Sequence, residues 1–410
     1  MTLKIAAIIN RRARGNKSRS RVAEEEALDL RQKLSSCGLL SVDTTPKPEM
    51  VASVCDSYIQ KGVNVVILSG GDGTVQNFLT HHFKELYKRY GTGMTPIDFA
   101  HALNRMALDP TSEVSLPALY HRSRGTVNAY AGTLNMASDL ETIAENLTEA
   151  DRRYAGSGIT AFDRVYVPMM LLYDKDKPND IDKLHVMALY ADGSVYNFFE
   201  RYYEPKERGK DPSLFTAMQL IARGASSAML SAAVDAWSTR LTGSPEWGRM
   251  AYRERFIEQT IKSTPATVII DGNALPSPTR SVTAIGTMDV SLYGIRPFWR
   301  MPRRPEGFGA YFPSMMLETR PDLDPSGQAF HVLCGDVSGV GIAKALPSLY
   351  LGKQTNIAGL TDITARRVEI TQDVPLDFIA DGSRGSIGKN VVVEIAYLQP
   401  FILLDRKPME

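Results

Sequence analysis

The sequence has 410 residues, of which 43% are apolar and 23% are charged, and its formal net charge is +1. This composition excludes a disordered chain, and the balanced charge gives no reason to expect nucleic acid as a partner. A chain of this length predicts two domains with a sizeable core.

The cysteines and the apolar runs indicate the cellular compartment in which the protein is expected. Cys37, Cys55 and Cys334 lie far apart and follow no metal-binding spacing, which favours a reducing compartment and no structural zinc. No stretch approaches about 18 uninterrupted apolar residues, so no membrane-spanning helix is predicted. The apolar run before Arg11 is too short for a secretion signal. We therefore expect a cytoplasmic protein.

The first third of the chain alternates predicted strands and helices. Residues 3–9 have the pattern of a buried strand, and residues 20–36 have apolar positions at helical spacing. A second helix is predicted over residues 48–62, followed by a strand at 63–68 that is apolar on both faces. This order predicts a doubly wound, mostly parallel sheet.

The residue pattern changes after about residue 161, where short runs of strand-forming residues alternate with Gly, Pro, Asp and Asn. One long predicted helix, residues 214–237, interrupts them. We predict an α/β nucleotide-binding domain over residues 1–158 and an antiparallel β-sandwich over residues 159–400. Residues 401–410 are a tail that could return to the first domain.

A glycine-rich stretch follows the strand at 63–68 and leads into a helix; its residues are Gly70, Gly71, Asp72, Gly73 and Thr74. Glycines allow positive φ angles and close backbone approach, and a helix N-terminus attracts anions. The stretch is typical of a phosphate-binding loop. A tight turn capped by an aspartate is the alternative that the stretch alone leaves open.

Two further segments strengthen the phosphate hypothesis. Residues 10–21 contain six basic residues and no acid, and residues 122–131 form a second polar junction between a strand and a helix. Loops that follow parallel strands lie together at the carboxyl edge of the sheet, so all three segments could bind one polyphosphate. A solvated cationic helix start is the alternative for the first. The residues expected to contact the nucleotide are Asn10, Arg14, Gly15, Lys17, Gly125, Thr126 and Asn128.

In this order the three segments resemble the diacylglycerol kinase catalytic-domain family of lipid kinases, which includes sphingosine, ceramide and bacterial lipid kinases. The stretch from Gly70 to Thr74 matches the family's Gly-Gly-Asp-Gly-Thr signature without change. Residues 125–131 match its Gly-Thr-x-Asn-x-x-Ala segment, with Ala129 and Tyr130 where Asp and Phe are usual. Residues 10–15 resemble its Asn-Pro-x-Ser-Gly loop, with Arg11 in place of the proline and one inserted residue.

The resemblance continues into the second half and includes departures. Residues 364–382 resemble the family's late strand pair, which ends in Asp-Gly-Glu; Asp381 and Gly382 match, and Ser383 replaces the glutamate. Asn77 stands where the helix after the signature usually carries a glutamate. The chain also has a longer than usual insertion at about residues 80–116.

The resemblance implies an ATP-dependent lipid kinase that uses Mg²⁺ and binds ATP through the three segments. It further implies that Asp381 is a general base and that Asp72 is catalytic, organising Mg²⁺ or orienting the nucleophile. The acceptor would be the hydroxyl of a diacylglycerol-like or a ceramide- or sphingoid-like lipid. Nothing in the sequence indicates an oligomeric state.

Two other functions remain open at this stage. NAD kinases share the glycine-rich signature, but the Asn-Glu pair that they use has no counterpart after Gly125. A lipid- or nucleotide-binding protein without turnover would account for Asn77 and Ser383. The second Asp-Gly pair, Asp271 and Gly272, is a rival catalytic candidate for which a hairpin turn is the favoured interpretation.

A basic and aromatic segment at residues 294–312 predicts contact with a membrane surface, because cations and interleaved aromatic rings suit lipid headgroups. The residues expected there are Arg296, Trp299, Arg300, Arg303 and Arg304. A loop whose aromatic rings pack inward is the alternative. With this segment we expect a peripherally membrane-associated protein that meets its lipid substrate at the membrane surface.

Other polar residues are predicted to have no chemical role. The histidines show no metal-ligand spacing, and the adjacent His81 and His82 are expected at the surface. Asp192 is assigned to a turn.

Overall fold

A computed structural model describes residues 3–11, 20–35, 37–45, 50–109, 111–124, 128–134, 136, 139–157, 163–207, 219–220, 233, 236–241, 243, 260–291, 295–301 and 328–403. Several sequence-based expectations fall on residues outside these ranges. They concern Arg14, Gly15, Lys17, Gly125, Thr126, Arg303, Arg304 and most of the helix predicted at 214–237.

The N-terminal part is built on four parallel strands in the order β2-β1-β3-β4. Its elements are β1 Ile5–Asn10, α1 Ser20–Lys33, β2 Leu39–Thr45, α2 Met50–Lys61, β3 Val65–Gly70, α3 Asp72–Tyr90, α4 Pro96–Leu108, β4 Ala118–Ser123, α5 Ala129–Thr133 and α6 Leu140–Ser157. Every residue of β3 is buried, as its continuous apolar run predicts. The strand order reverses direction between β1 and β3, where open α/β sheets usually bind ligands.

The second part is rich in antiparallel strands. Its elements are β5 Asp163–Asp174, a 3-10 turn Ile181–Lys183, β6 His185–Met187, β7 Leu189–Gly193, α7 Ser194–Glu207, β8 Thr264–Ile270, β9 Asn273–Ala274, β10 Thr279–Arg280, β11 Val282–Gly286, β12 Phe330–Gly335, α8 Gly339–Tyr350, β13 Leu360–Ala365, β14 Arg367–Gln372, β15 Leu376–Ala380, β16 Ser383–Ile387 and β17 Asn390–Leu403. Six of these strands form an antiparallel sheet in the order β13-β12-β11-β7-β15-β16.

Strand β17 connects the two parts. It pairs with β5 along nearly its whole length and with β14 at its beginning. Near its end, Phe401 pairs in parallel with Leu119 of β4. The parallel strands and the β5–β14 region therefore form one continuous 11-stranded sheet. The six-stranded sheet packs on this sheet through an apolar core that includes Ile285, Val332 and Phe378.

The insertion at about residues 80–116 has a structural role. It extends α3 and adds α4, which packs on β17. The Asn104 side-chain amide donates to the Leu398 carbonyl at 2.8 Å, and its oxygen accepts from the Leu398 amide at 2.7 Å. His101 Nε2 lies 3.1 Å from the Ile395 carbonyl oxygen. The insertion thus fixes the strand that joins the two parts.

Two assignments from the sequence are wrong. His82 is buried rather than at the surface, and it stacks on Phe78 because the second part covers this side of α3. Burial lowers the pKa of His82 to about 4, so the ring is neutral. Asp192 lies in β7 and not in a turn; it forms a buried ion pair with Arg280 and accepts from the Tyr190 phenol. Neither contact is visible in local sequence.

The hairpin interpretation of the rival Asp-Gly pair is confirmed. Asp271 and Gly272 have φ angles of 47° and 82°, and they join β8 to β9, whose Ile270 and Asn273 are paired. The Asp271 carboxylate accepts from the backbone amides of Arg366 and Arg367. Asp271 is therefore a structural residue of this turn.

We expect Asn104→Ala to destabilise the whole fold. The substitution leaves a buried amide and a buried carbonyl of Leu398 without their side-chain partner, which costs about 2–4 kcal/mol of unfolding free energy. Urea denaturation measures this loss. The exposed Asn179→Ala is the matched control and is expected to change the unfolding free energy little. Equal stability of the two variants would contradict the assigned role of α4.

Candidate functional site

The glycine-rich stretch forms the junction between β3 and α3. A Cβ on Gly70 would lie 2.2 Å from Thr74 Oγ1, so only glycine fits there. Thr74 Oγ1 accepts a hydrogen bond of 2.8 Å from the Asn10 side-chain amide. Asn10 ends β1 and Gly70 ends β3, so this bond lies beside the crevice where the strand order reverses. Two of the predicted segments therefore meet at the edge of the sheet.

Asp72 brings the third segment to the same place. Its Oδ2 accepts from the Ala129 amide at 2.8 Å and its Oδ1 from the Tyr130 amide at 3.2 Å, so its carboxylate caps the N-terminus of α5. Asn128 precedes this helix with a φ of 53°. Burial raises the pKa of the Asp72 carboxyl, whereas His121 and the two amides act in the opposite direction. The segments at 70–74 and 128–131 are thus in direct contact.

Asp381 lies immediately beyond β15 and is 1% exposed. Its φ is 44°, so the residue turns away from the strand. Oδ2 accepts from the Tyr130 phenol at 2.7 Å and from the Ala188 amide at 3.1 Å; Oδ1 accepts from the Leu189 amide at 2.8 Å. Burial raises the pKa of Asp381 to about 8, and the three donors limit the rise.

Tyr130 is the residue that joins Asp72 to Asp381. Its backbone amide binds the first carboxylate and its phenol binds the second. The ring is fully buried and stacks on Phe401 of β17 at 5.5 Å. Sequence reasoning found both aspartates but not this link. The only signal was a tyrosine at a position where the family has phenylalanine.

The two positions at which the chain lacks the family's glutamates lie around Gly73. Asn77 donates from its side-chain amide to the Gly73 carbonyl at 2.7 Å. A Cβ on Gly73 would lie 2.8 Å from Ser383 Oγ, so the turn after β15 closely approaches the start of α3. Both departures therefore lie beside the two aspartates, and neither supplies a negative charge.

A cavity of about 340 Å³ begins at these aspartates. It lies between the six-stranded sheet and the helices α7 and α8, and its walls are almost entirely apolar. Asp381 stands beside Leu189 at the end of the strands, so the carboxylates lie at one end of the cavity. Side chains that form the walls include Phe198, Ala284, Leu333, Ile342, Leu346 and Ile379.

A charged cluster that sequence reasoning missed lies at the carboxyl ends of β3 and β4. Glu26 of α1 accepts from the Ser69 hydroxyl at 2.6 Å and forms a buried ion pair with Arg122. Arg124 Nη2 lies 3.6 Å from Glu26, and the Arg124 amide donates to the Gly70 carbonyl at 2.7 Å. Two guanidinium groups therefore lie near the glycine-rich junction. The Arg-x-Arg pattern before Gly125 was the available signal.

The described members of the expected membrane segment are engaged within the protein. Arg296 forms an ion pair with Asp289. Arg300 binds Asp362 at 2.7 Å and lies 4.5 Å from the centre of the Trp299 ring. Among the helices that the structure describes, none is long and apolar enough to span a membrane. Contact of this segment with a membrane stays a prediction.

Comparison with known proteins supports one family. Residues 4–158 match the model of the diacylglycerol kinase catalytic domain. A candidate diacylglycerol kinase from Bacillus anthracis str. Sterne has a similar fold, with a TM-score of 0.54, 13% identity, and coverage of 99% of this chain and 97% of that chain. A second structure, of a diacylglycerol kinase from the same organism, has a TM-score of 0.50 at the same identity and coverage. A search of curated proteins found no match.

The raised pKa of Asp381 predicts a pH-dependent stability. An unfolded aspartate titrates near pH 3.9, so between about pH 4 and pH 8 the folded state holds a proton that the unfolded state has released. The contribution of this carboxyl to the unfolding free energy should therefore fall as pH rises through this window. Urea denaturation at several pH values measures the slope.

Two variants make this measurement specific. Asp381→Asn should remove the part of the slope that comes from this carboxyl. Asp377→Asn, which changes an exposed carboxyl on the same strand, should leave the slope intact. Identical slopes in the wild type and in Asp381→Asn would contradict the assignment of a raised pKa to Asp381.

Proposed function

We propose that the protein is an ATP-dependent lipid kinase, because residues 4–158 match the diacylglycerol kinase catalytic domain. It would transfer the γ-phosphate of ATP to a hydroxyl of a diacylglycerol-like or a ceramide- or sphingoid-like lipid. One observation carries the proposal: Asp72 and Asp381 line the same apolar cavity, at the end nearest to the glycine-rich junction.

The cavity favours an alkyl chain as the bound part of the acceptor. Burial of each methylene contributes about 0.8 kcal/mol, and the walls offer few polar groups that would have to be desolvated. A lipid whose chain occupies the cavity can bring a terminal hydroxyl to the two carboxylates. NAD, the acceptor in the alternative enzyme, is polar along its length and gains little from such walls.

The nucleotide would bind on the other side of the carboxylates, with its phosphates at the crevice between β1 and β3. Gly71 and Gly73 are partly exposed at the start of α3, and the N-terminus of this helix favours negative charge. Asn10 and Thr74 border this crevice, and Asn128 lies beside Asp72. The predicted contacts of Arg14, Gly15, Lys17, Gly125 and Thr126 remain part of the proposal.

Asp381 would act as the general base. As the acceptor oxygen forms its bond to the γ-phosphorus, the bond from this phosphorus to the oxygen of ADP breaks, and ADP leaves with the electron pair. The acceptor proton passes to Asp381 Oδ1, which accepts one hydrogen bond from the described residues. A base with a pKa of about 8 is well matched to proton transfer near neutral pH.

Asp72 is the residue that would hold Mg²⁺ together with the phosphates. Among the described residues, each of its oxygens accepts one backbone amide, which leaves a lone pair for the ion. The described residues contain no group of three or more His, Cys, Asp or Glu side chains that could hold a metal. One carboxylate with substrate phosphates is a common arrangement for Mg²⁺, so the residues fit an ion that arrives with ATP. The ion would neutralise phosphate charge.

A second candidate function is binding without turnover. Asn77 and Ser383 replace two carboxylates, and the Asn77 amide is already engaged with the Gly73 carbonyl. Such a protein would still bind ATP and lipid through the same crevice and cavity. Product formation distinguishes it from the kinase.

We expect the purified protein to transfer label from γ-labelled ATP to a lipid in mixed micelles with Mg²⁺. Diacylglycerol, ceramide, sphingosine and NAD are the acceptors to compare. Asp72→Asn and Asp381→Asn should each reduce the rate at least about a hundredfold, because positioning and proton transfer each contribute that much. Asp377→Asn, the exposed control, should retain the rate. Label in NADP would contradict the proposal, and ATP binding without product would favour the binding protein.

The cavity makes a separate prediction about the acceptor. Ala284→Phe places an aromatic ring inside the cavity and should raise KM for the lipid about tenfold or more, with KM for ATP unchanged. Ala274→Phe adds the same ring at an exposed position and is the control. Unchanged KM for the lipid in Ala284→Phe would show that the acceptor binds elsewhere.

A further inference from the structure

We propose that Tyr130 is a positioning residue for this reaction: its phenol fixes the Asp381 carboxylate so that Oδ1 is left to face the acceptor hydroxyl. The inference rests on the proposed function. Tyr130 stands where phenylalanine is usual in the resembled family, and a phenylalanine has no hydroxyl to donate.

The hydrogen bonds on Asp381 are unequal. Among the described residues, Oδ2 accepts from the Tyr130 phenol at 2.7 Å and from the Ala188 amide at 3.1 Å, whereas Oδ1 accepts from the Leu189 amide alone, at 2.8 Å. A carboxylate oxygen with two donors has little capacity for a third partner, and one with a single donor keeps a lone pair. The phenol therefore decides which oxygen is available.

Tyr130 is itself held from several sides. Its backbone amide donates to Asp72, which places the start of α5. Its ring stacks on Phe401 and meets the His121 ring edge to face at 6.3 Å. The ring is fully buried among these contacts, so packing pre-organises the phenol at Asp381.

The groups around Tyr130 and Asp381 keep the Tyr130 phenol protonated, so that it can donate a hydrogen bond. Burial and, secondarily, Asp381 raise the pKa of Tyr130 well above its ordinary value, so the phenol stays protonated. Asp72 lies across Tyr130 and disfavours charge on Asp381, while His121 lies beside Asp72. From α7, Tyr203 lines the same cavity, and Arg384 of β16 lies 5.8 Å from the Tyr203 ring.

The direct test is Tyr130→Phe, which removes one oxygen and keeps the ring. Loss of the donor should raise the pKa of Asp381, so the rising limb of kcat/KM for the lipid moves to higher pH by about one to two units. At pH values below the rising limb, the rate falls by about ten- to a hundredfold and recovers as pH rises, while KM for ATP is unchanged.

Tyr58→Phe is the matched control, because the buried Tyr58 phenol donates to Asp43 at 2.8 Å in the N-terminal part. In Tyr58→Phe, the rising limb of kcat/KM for the lipid should stay at the same pH as in the wild type.

A double-mutant cycle separates positioning from structural support. If Tyr130 acts through Asp381, Tyr130→Phe should cause no further loss in the Asp381→Asn background. An equal further loss in that background, or a loss in Tyr130→Phe that is the same at every pH, would overturn the proposal.

A measurement without catalysis tests the contact between the Tyr130 phenol and Asp381 separately from the proposed function. Infrared titration follows the protonated carboxyl band that disappears in Asp381→Asn. Its midpoint should lie about one to two pH units higher in Tyr130→Phe than in the wild type, and it should be unchanged in Tyr58→Phe. If the wild type phosphorylates no lipid, the proposed function fails, whereas this titration reports separately whether the phenol acts on Asp381. An unchanged midpoint in Tyr130→Phe overturns it.

Discussion

The arrangement of the candidate site depends on one buried residue that binds two carboxylates. Tyr130 contacts Asp72 through its backbone and Asp381 through its phenol, and these aspartates come from opposite parts of the chain. An ionised carboxylate as buried as Asp381 is costly unless hydrogen bonds compensate it. The phenol and two backbone amides supply part of that compensation, and burial still raises the pKa of Asp381 to about 8.

The rest of the structure keeps this contact in place. Phe401, on which the Tyr130 ring stacks, belongs to the strand that runs through both parts of the large sheet. Asn104 of the inserted helix holds the middle of that strand by two hydrogen bonds. The insertion is therefore remote from the chemistry but supports its geometry. Sites whose residues are locked by packing hold the precise distances that catalysis requires.

Much of this could be predicted from local sequence. The β-branched run into Gly70 predicts a buried strand, and the glycines after it predict the junction that the structure contains. The resemblance pointed to Asp72 and Asp381, and the structure places both at one cavity. Asn10 was also correctly placed beside the glycine-rich stretch, because loops after parallel strands converge.

The other features of the site and of the fold depend on contacts between residues that are distant in the sequence, so local sequence does not predict them. Tyr130 and Asp381 are 251 positions apart, and Asn104 and Leu398 are 294 apart, so no periodicity or motif records either pair. His82 has the sequence context of an exposed helix residue, yet the second part buries it. The sequence does not predict the cavity either, because the apolar residues of its walls have the same pattern as those of any β-sandwich core.

The most direct test of the account is a crystal structure of the protein with a non-hydrolysable ATP analogue and an acceptor lipid. We expect the terminal phosphate at the junction of residues 70–74, the alkyl chain in the cavity, and the lipid hydroxyl within hydrogen-bonding distance of Asp381 Oδ1. A nucleotide base in the cavity, or a lipid hydroxyl remote from Asp381, would contradict the account.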